Sequence, residues 1–273
     1  MATITNSTGL PEPIYRALAE PHAIGAADYS ITDLLRPARK ALLERELGHL
    51  VTEDVKDMAD RAIGNAVHEY FSRRAGADEL SERRLTMEMG GTIISGALDL
   101  FHLSSGTLTD FKTPKTSSIK YEQSEWEAQT NCYAELLRVN GYDVAQIQIV
   151  TIYKDYSFMR SGFKGTYPDS SIQAHRIEMW EPERTQEFLW GRILAHRGAN
   201  RDTLCSDEER WARPTYAVTK PGADRAWRVF DSEEEATANI RDGYEVQFRP
   251  GEPVRCIAYC AVSQWCEQYQ GES

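Results

Sequence analysis

Three strand patterns follow one another between residues 85 and 112, and they constrain the fold more than any other feature of the 273-residue chain. This run alternates apolar and polar positions and is rich in β-branched residues, a pattern typical of β-strands. It is interrupted at Gly90-Gly91 and again at Ser104-Ser105-Gly106, where small residues favour tight turns. The segment therefore predicts three strands joined by two turns.

Helical patterns lie on both sides of these strands. Apolar residues recur every three or four positions from about Glu53 to Arg74, and again from Glu122 to Val139, where Asn140-Gly141 favours a helix end. The run VAQIQIVTIYKD that follows has the pattern of a strand. The order helix, three strands, helix, strand predicts a fold of the α/β class.

Further elements extend this arrangement in both directions. A helical pattern begins after Ser30 and is interrupted at Pro37, while a strand near residues 173–179 and a helix after Pro182 continue the core. Shorter runs and a cysteine-bearing end follow. We expect a leader over residues 1–28, a core over residues 29–200 and a C-terminal subdomain over residues 201–273.

The charge and the hydropathy of the chain argue against some classes of protein. A net charge of −11 disfavours a protein that coats nucleic acid through a broad excess of Lys and Arg, but it permits a locally basic cleft. The first residues lack a basic start followed by an apolar run, and no stretch is long and apolar enough to span a membrane. We therefore expect a cytoplasmic protein.

Asp110 and Lys112 are the first candidates for residues of an active site. They lie two residues apart on a predicted strand, so their side chains share one face while Phe111 points to the other. If Ser104-Ser105 forms a two-residue hairpin turn, residues whose numbers sum to 209 face each other, and Asp99 lies opposite Asp110. Two carboxylates and one ammonium would then meet in one small site.

These residues allow two interpretations. In the first, Asp110 and Lys112 form a surface ion pair and Asp99 is a solvated strand residue. In the second, apolar neighbours make two facing carboxylates unfavourable unless a divalent cation binds them. Mg²⁺ or Mn²⁺ suits such hard oxygen ligands and supports an in-line displacement at phosphorus, with Lys112 orienting the attacking water.

Residues on the two neighbouring helices are further candidates. Gln129 and Tyr133 lie four apart on the apolar stripe of the second helix. They either make a buried hydrogen bond to the backbone or contact a phosphate or a base. His68, one helical turn after Gly64, is either structural or a nitrogen ligand for the metal. Glu69 is a weaker candidate for the same region.

The chain resembles the PD-(D/E)XK nuclease superfamily, specifically its RecB-like branch, which includes phage recombination exonucleases and CRISPR-adaptation nucleases. The motifs that carry the resemblance lie between about residues 60 and 155 and are, in order, His68, Gly96-Ala97-Leu98-Asp99, Asp110-Phe111-Lys112, and the pair Gln129 and Tyr133. Their combined order and spacing are more specific than any one of them.

The resemblance implies a mixed sheet flanked by helices, and Mg²⁺-dependent hydrolysis of phosphodiester bonds by an exonuclease acting on DNA ends. By this likeness the metal-binding acids are Asp99 and Asp110, the catalytic lysine is Lys112, the additional metal ligand is His68, and the motif that follows is Gln129 with Tyr133. The second acid is Asp rather than the more common Glu, which the family pattern allows.

Four of the five cysteines fall in the last third of the chain, at Cys205, Cys256, Cys260 and Cys266. In a cytosolic chain such residues are thiols or metal ligands rather than disulfides. The tail RCIAYCAVSQWCEQY resembles the end of iron–sulfur members of this branch, in which three close cysteines join a distant fourth. The likeness implies a [4Fe–4S] cluster, with zinc or no metal as the alternatives.

The fourth ligand departs from the pattern of these relatives. Their distant cysteine precedes the nuclease core, whereas Arg36-Pro37 occupies the comparable position here. Cys205 is the substitute outside the core, because Cys132 lies within the helical turn that carries Gln129 and Tyr133 and is expected to pack. We expect a cluster there to clasp the subdomain onto the core rather than to perform redox chemistry.

The sequence thus predicts a DNA exonuclease of phage or recombination type that acts on linear duplex or single-stranded ends. Its protein partner would be a recombination or single-strand annealing protein. A structure-specific or site-specific endonuclease on the same core, and a non-catalytic DNA-binding or assembly protein, are the alternatives. The basic residues expected near DNA, unless they form only a solvated face, are Arg73, Arg74, Arg83, Arg84, Lys115 and Lys120.

Overall fold

The structure is a computed structural model that describes residues 2–20, 25–160 and 167–271, without the side chains of residues 119–123. Its helices are, in chain order, α1 (Glu12–Ala19), α2 (Ile31–Leu35), α3 (Ala38–Leu47), α4 (Ala59–Ser72), α5 (Ile119–Val139), α6 (Pro182–Gly198), α7 (Glu233–Ala238), α8 (Val254–Ala258) and α9 (Glu267–Gln270). None of these described helices is both long and apolar enough to cross a membrane.

The strands follow in the same chain order. They are β1 (Thr3–Thr5), β2 (Tyr29–Ser30), β3 (Thr52–Asp54), β4 (Glu79–Met89), β5 (Thr92–His102), β6 (Thr107–Lys112), β7 (Gln146–Ile152), β8 (Ile172–Ile177), β9 (Thr215–Thr219), β10 (Arg228–Phe230) and β11 (Glu245–Arg249). The order α4, β4, β5, β6, α5, β7 is the order that the sequence patterns predicted.

Contacts within the chain divide it into two compact units. The sheet unit comprises Ala2–Leu35 and Thr52–Gly198, and the cysteine unit comprises Arg36–Val51 together with the segment from Ala199 onward. The division into leader, core and C-terminal subdomain that we expected from the sequence stays a prediction. Each unit is described separately below.

The sheet unit is built around a mixed sheet in the order β2-β5-β6-β7-β8, with β4 also paired to β5. Strands β4, β5 and β6 form antiparallel pairs, β7 runs parallel to β6, and β8 runs antiparallel to β7. Helices of the same unit pack on this sheet. Among these helices, α5 contributes the most residues to the buried core. The expected fold class, a mixed sheet flanked by helices, is confirmed.

Strand β5 shares one of its edges between two partners. Ile94 and Ser95 pair with β2, whereas residues 100–102 pair with β6, and β4 pairs along the opposite edge. Residues 96–99 therefore lie where β2 has ended and pairing with β6 has not begun. We call this stretch the β5 gap, and Asp99 is its last residue.

Helix α5 packs closely over the start of the β5 gap because Gly96 has no side chain. A Cβ atom added there would lie 2.7 Å from Leu136 Cδ1 and 2.7 Å from Tyr133 Cε1, which is closer than carbon atoms approach in a packed core. Leu98 and Phe101 of β5 join the same buried cluster as these α5 side chains. The glycine of the Gly-Ala-Leu-Asp motif thus allows α5 to pack closely on β5.

The register between β5 and β6 agrees with the prediction, but the turn that joins them is longer. The pairs are Leu100 with Thr109, Phe101 with Leu108 and His102 with Thr107. The turn occupies residues 103–106 instead of the two-residue turn at Ser104-Ser105. The Leu103 N–H donates to Asp78 O at 2.9 Å and Gly106 O accepts from Ala145 N at 2.9 Å, so these two residues bond to the residues just before β4 and β7 and not to each other.

The helix predicted from Glu53 begins later, at Ala59, after strand β3 and a short 3₁₀ turn. Asp54 accounts for this difference. Its carboxylate accepts hydrogen bonds from the backbone N–H groups of Ser7 at 2.8 Å and Lys56 at 3.1 Å, and from the Thr5 hydroxyl at 2.8 Å. These bonds hold the chain extended beside β1, with which β3 pairs in parallel.

In the cysteine unit, strand β9 pairs antiparallel with β10 on one edge and with β11 on the other. Helix α7 packs on this small sheet, and Val218, Phe230 and Ala236 form its buried centre. Helix α3 and the short helices α8 and α9 belong to the same unit. The cysteines of the C-terminal segment lie among these short elements.

Candidate active site

Asp99 and His68 meet at the end of the β5 gap. Asp99 Oδ1 lies 3.1 Å from His68 Nδ1, and Asp99 Oδ2 accepts a hydrogen bond from the Phe111 backbone N–H at 2.7 Å. The carboxylate thus satisfies an N–H group in the part of β6 that no longer pairs with β5. Phe111 stacks on Phe71 of α4 with ring centroids 4.8 Å apart, which positions α4, and with it His68, against the strand.

Asp110 and Lys112 lie beside this pair and share a face of β6, as their spacing predicted. Lys112 Nζ lies 2.7 Å from Asp110 Oδ2 and forms an ion pair with this buried oxygen, which has no further hydrogen-bond partner among the described residues. Asp110 is only 2% exposed, so the pair is not the surface ion pair of the first interpretation. Burial of a carboxylate is costly, and the Lys112 ammonium offsets only part of that cost at a site that contains further carboxylates.

Gln129 and Tyr133 continue the polar chain from Lys112. Lys112 Nζ donates a hydrogen bond to Gln129 Oε1 at 2.9 Å, and Gln129 Nε2 donates to the Tyr133 hydroxyl at 3.2 Å. Both partners are side chains, so these bonds are not the backbone hydrogen bond that the sequence allowed. Contact of Gln129 and Tyr133 with a phosphate or a base stays a prediction. The arrangement makes Gln129 and Tyr133 a support for the position of the Lys112 ammonium.

Glu82 is a site residue that the sequence interpretation missed. Its Oε1 lies 3.5 Å from His68 Nδ1, and one ligand atom each of His68, Glu82 and Asp99 lies within 4.8 Å of the other two. Glu82 could have been found from the sequence by the Gly90-Gly91 turn. Residues that face each other across that hairpin have numbers that sum to 181. The same rule that placed Asp99 opposite Asp110 places Glu82 opposite Asp99.

The electrostatics of the site reflect its excess of carboxylates. The hydrogen bond to Asp99, assisted by Glu82, raises the pKa of His68 to about 10. Burial raises the pKa of Asp110 to about 6, although the neighbouring Lys112 ammonium acts in the opposite direction. Both shifts show that added positive charge is favourable here.

The donor set fits a hard divalent cation. Three carboxylates and one imidazole are ligands that Mg²⁺ and Mn²⁺ accept, and the single Lys112 ammonium leaves the carboxylates in excess. We predicted His68, Asp99 and Asp110 as the metal ligands. The structure groups His68 and Asp99 most closely with Glu82, and places Asp110 next to Lys112.

The remaining residues singled out from the sequence have these positions. Glu69 is exposed and pairs with Arg73, away from the metal-ligand group. Arg74 stacks on the Tyr70 ring, and Arg84 donates to the Ser95 hydroxyl. Arg83 and Lys115 are exposed. The side chain of Lys120 lies outside the described residues.

A second candidate site lies within the cysteine unit. Cys205, Cys256, Cys260 and Cys266 line one pocket together with Arg39 of α3. Burial raises the pKa of Cys205 to about 12 and also raises the pKa of Cys260, so a bound cation would be needed to keep these thiols ionised. The fifth cysteine, Cys132, is fully buried in the sheet unit.

Polar side chains hold the walls of this pocket in place. Arg39, only 3% exposed, donates from Nε to Cys266 Sγ at 3.2 Å and from Nη1 to the carbonyl oxygens of Arg201 and Thr203. The Gln268 amide makes two hydrogen bonds, at 2.9 and 2.8 Å, with the backbone of Cys205. Arg39 therefore brings a buried positive charge to the thiol cluster.

Comparison with known proteins gives one match that covers nearly the whole chain. A family model described as the PD-(D/E)XK nuclease superfamily matches residues 14–267, whereas no curated protein matches the chain. Among solved structures, the crystal structure of SSO0001 is 16% identical, covers 72% of this chain and 85% of its own, and has a TM-score of 0.47. A phage related exonuclease from Haemophilus somnus 129PT is 14% identical, covers 68% of this chain and 76% of its own, and has a TM-score of 0.30.

Proposed function

Because the chain belongs to the PD-(D/E)XK nuclease superfamily, we propose that it is a metal-dependent exonuclease that hydrolyses phosphodiester bonds at the ends of linear DNA. The observation that supports this most is the meeting of Asp99, Asp110 and Lys112 at one point of the sheet, with Asp110 buried and ion-paired to Lys112. Such a site suits acid-ligated metal chemistry on a phosphodiester.

Mg²⁺ or Mn²⁺ is the proposed cofactor, with Asp99, Asp110 and His68 as ligands. When bound, such an ion supplies charge neutralisation at the phosphate and makes a water molecule easier to deprotonate. Asp99 is oriented for this role because its Oδ2 is held by the Phe111 N–H. Asp110 is oriented by its position in β6 and by the Lys112 ammonium.

Lys112 is the residue that would act on the attacking water or on the scissile phosphate. Its ammonium lies between Asp110 and Gln129, so its position is fixed before DNA binds. An ammonium so placed can orient the water through one N–H and can offset the charge that develops on a phosphate oxygen. The products expected by analogy with the family carry 5′-phosphate and 3′-hydroxyl ends.

The experiment that tests the proposal compares wild-type protein with Lys112→Ala on linear duplex and single-stranded DNA, with Mg²⁺ or Mn²⁺. We expect the variant to lose at least about 100-fold in rate. The matched control is Lys220→Ala, an exposed lysine of the cysteine unit, which we expect to keep full activity. Equal activity of wild type and Lys112→Ala would contradict the assignment.

The same assay separates an exonuclease from an endonuclease. An exonuclease digests linear DNA and leaves covalently closed circles intact, whereas an endonuclease also cuts a closed circle that carries its recognition site or structure. Our proposal includes a biological setting in recombination or phage replication, with an annealing protein as the partner. Digestion of closed circles at the rate of linear DNA would overturn the exonuclease part of the proposal.

We also propose that the four-cysteine pocket binds a [4Fe–4S] cluster, which would stabilise the cysteine unit. The spacing of the thiols supports this choice over zinc. Among the described residues, no three Sγ atoms lie within 4.8 Å of one another, whereas ligands about 2.3 Å from one tetrahedral zinc lie within about 4 Å of each other. A cluster binds each thiolate at a different iron atom and so spaces them further apart.

The cluster is tested on protein purified without oxygen. We expect iron, acid-labile sulfide and broad visible absorption, and we expect Cys256→Ser to lose all three. Zinc in place of iron would select the alternative. Protein that contains neither metal after anaerobic purification would contradict the proposal.

A further inference from the structure

We propose that Arg39 is a positioning residue for the [4Fe–4S] cluster: it donates a hydrogen bond to the sulfur of Cys266, and its buried positive charge raises the reduction potential of the cluster. The inference rests on the cluster that we proposed for the four-cysteine pocket, and it adds a residue that is not a cysteine. Arg39 and the four cysteines all lie within the cysteine unit.

The contacts of Arg39 are those of a fixed side chain. It is only 3% exposed, its Nε donates to Cys266 Sγ at 3.2 Å, and its Nη1 donates to the carbonyl oxygens of Arg201 at 2.6 Å and Thr203 at 2.7 Å. A guanidinium is planar, so bonds from two of its nitrogens fix its orientation as well as its position. The Nε–H group is therefore held toward the sulfur of Cys266.

Among the residues that the structure describes, no carboxylate forms an ion pair with Arg39. Its hydrogen-bond acceptors are one sulfur atom and two neutral carbonyl oxygens. A buried charge is costly unless an opposite charge accompanies it. The pocket can supply that opposite charge, because Arg39 lines it together with all four cysteines.

Lys40, the other basic residue that lines the pocket, differs from Arg39 in this respect. Its Nζ lies 3.8 Å from Glu44 Oε1 and donates to the carbonyl oxygen of Tyr259 at 3.0 Å. The charge of Lys40 is thus balanced within α3, whereas the charge of Arg39 acts on the pocket.

A cluster in the pocket would balance the charge of Arg39. Four thiolates outweigh the positive charge of an iron–sulfur core, so the assembled group is an anion, and reduction makes it more negative. A fixed positive charge and an N–H bond to a ligand sulfur both stabilise the reduced form more than the oxidised form. Cys266 is buried, whereas the other three cysteines of the pocket are partly exposed, so water screens this interaction little.

The test is a redox titration, followed by electron paramagnetic resonance, of protein purified without oxygen. We expect a lower reduction potential for Arg39→Met, which fills a similar space without the charge or the N–H group. We expect a smaller fall for Arg39→Lys, since an ammonium keeps the charge but lacks the planar fork that bonds the sulfur and both carbonyl oxygens. The matched control is Arg45→Met at an exposed position of α3, which should keep the wild-type potential.

The order of the potentials separates this role from a purely structural one. Arg39 also bonds the backbone of Arg201 and Thr203, so both substitutions should lower the melting temperature and the iron content. A residue with that role alone would not give the order wild type, Arg39→Lys, Arg39→Met in the potential of the clusters that remain bound.

A second measurement needs no substitution. Wild-type protein is labelled with ¹⁵N in its arginine side chains and reduced, and electron–nuclear double resonance then detects nitrogen nuclei coupled to the electron spin of the cluster. We expect a coupled guanidinium nitrogen, because the Arg39 Nε–H group bonds a ligand sulfur.

The inference is overturned if wild type and an Arg39 variant that retains iron have equal potentials, or if no guanidinium nitrogen is coupled to the cluster. Both outcomes leave the proposed cluster in place. Wild-type protein that contains zinc or no metal would remove the cluster and this inference together. The nuclease proposal is decided by the Lys112→Ala assay, whichever of these results is found.

Discussion

Several interactions of the candidate active site converge on the ammonium of Lys112. It contacts Asp110 Oδ2 at 2.7 Å and donates to Gln129 Oε1 at 2.9 Å, and Gln129 is held in turn by Tyr133. A lysine side chain loses considerable rotamer freedom when it is held in this way. These contacts therefore hold the positive charge of Lys112 in a fixed position.

We predict that Gln129→Leu lowers kcat on linear DNA by about 100-fold, because a displacement of about 1 Å in a catalytic group has an effect of this size. The KM for DNA should change much less, since the Gln129 side-chain oxygen already accepts a hydrogen bond from Lys112. Tyr133→Phe removes only the outer hydrogen bond and should lower kcat by about tenfold. Steady-state assays with Mg²⁺ measure both constants.

Two variants serve as controls for this prediction. Gln129→Glu keeps an oxygen next to Lys112 and should retain more activity than Gln129→Leu. Gln247→Leu changes an exposed glutamine of the cysteine unit and should have no effect. A rise in KM with unchanged kcat for Gln129→Leu would show that Gln129 binds DNA directly.

Turn geometry allowed some residues of the site to be placed from the sequence, but not all of them. The hairpin rule placed Asp99 next to Asp110, and the structure has that register. The same rule applied to Gly90-Gly91 would have added Glu82. The left-handed backbone of Glu82 and the bond from Gln129 to Lys112 depend on contacts between elements, which no local pattern reports.

At the scale of elements, the packing of α5 on β5 controls whether the Gln129–Tyr133 pair reaches Lys112. We predict that Gly96→Ala destabilises the protein by about 1–3 kcal/mol, because its Cβ would overlap Leu136 and Tyr133. For a chain of this size the melting temperature should fall by several degrees, roughly 2–4 °C per kcal/mol. Activity should fall as well, since Tyr133 would be displaced.

The control for this prediction is Gly191→Ala in α6. Apart from its chain neighbours and its own helix backbone, no atom of the described residues lies within 4 Å of a Cβ atom at that position. Alanine also favours a helix interior by about 1 kcal/mol over glycine. We therefore expect an unchanged or higher melting temperature. A fall for Gly191→Ala as large as that for Gly96→Ala would show that steric overlap is not the cause.

The attachment of β1 to β3 should depend on pH through Asp54. The hydrogen bond from the Ser7 backbone, with further bonds from Thr5 and Lys56, holds the pKa of Asp54 below its usual range. A depressed pKa in the folded state adds stability that is present above the unfolded pKa of about 3.9 and is lost as the pH falls below it. Asp54→Asn should therefore lower the melting temperature at pH 7, and the difference should shrink below about pH 4.

Thermal melts of both proteins between pH 7 and pH 3 measure this effect. Asp57→Asn, in the adjacent 3₁₀ turn, is the matched control and should show no such pH dependence. A difference that stays constant down to pH 3 would mean that the Asp54 carboxylate contributes through its shape and not through its charge.

Most elements could be predicted from periodicity, because their residues face one core. The exceptions include β1 and α1, which lie in the predicted leader, and β4, which begins at Glu79 rather than at residue 85. The start of α4 and the turn between β5 and β6 are two others. Asp54 bonds to Ser7, 47 positions earlier, and Gly106 bonds to Ala145 at the start of the next strand. Interactions over such distances override local preference, and the pattern of a short window does not contain them.

At the scale of the whole molecule, metal binding and folding stability should be linked. We predict that Mn²⁺ raises the melting temperature of wild type, since a ligand at 100 times its Kd stabilises a protein by about 2.7 kcal/mol. Asp110→Asn should raise the melting temperature without metal, because it removes a buried charge, and should reduce the response to Mn²⁺. Differential scanning fluorimetry with and without EDTA measures both.

The control is Asp143→Asn, an exposed carboxylate outside the site. It should keep the wild-type response to Mn²⁺ and the wild-type stability without it. An Asp110→Asn variant that is less stable than wild type without metal would show that the carboxylate is structurally required. That outcome would argue against the idea that the buried Asp110 charge destabilises the metal-free protein.

The membership of α3 in the cysteine unit could not be predicted from the sequence. Arg39 bonds to Arg201 and to Cys266, which are 162 and 227 positions away. The helix itself was predicted from its periodicity, but periodicity gives no information on which distant segment a helix packs against. The buried Arg39 beside the four cysteines was therefore found only from the structure.

Because β2 and β6 share one edge of β5, the candidate active site forms only when the whole sheet has folded. Its groups are drawn from α4, β4, β5, β6 and α5, and the β5 gap exists only once β2 and β6 have both paired on the same edge. A chain that is still emerging from the ribosome, or that is partly unfolded, lacks that gap and holds its acids apart. If the protein cuts DNA, the cell that makes it is exposed to the activity only after folding is complete.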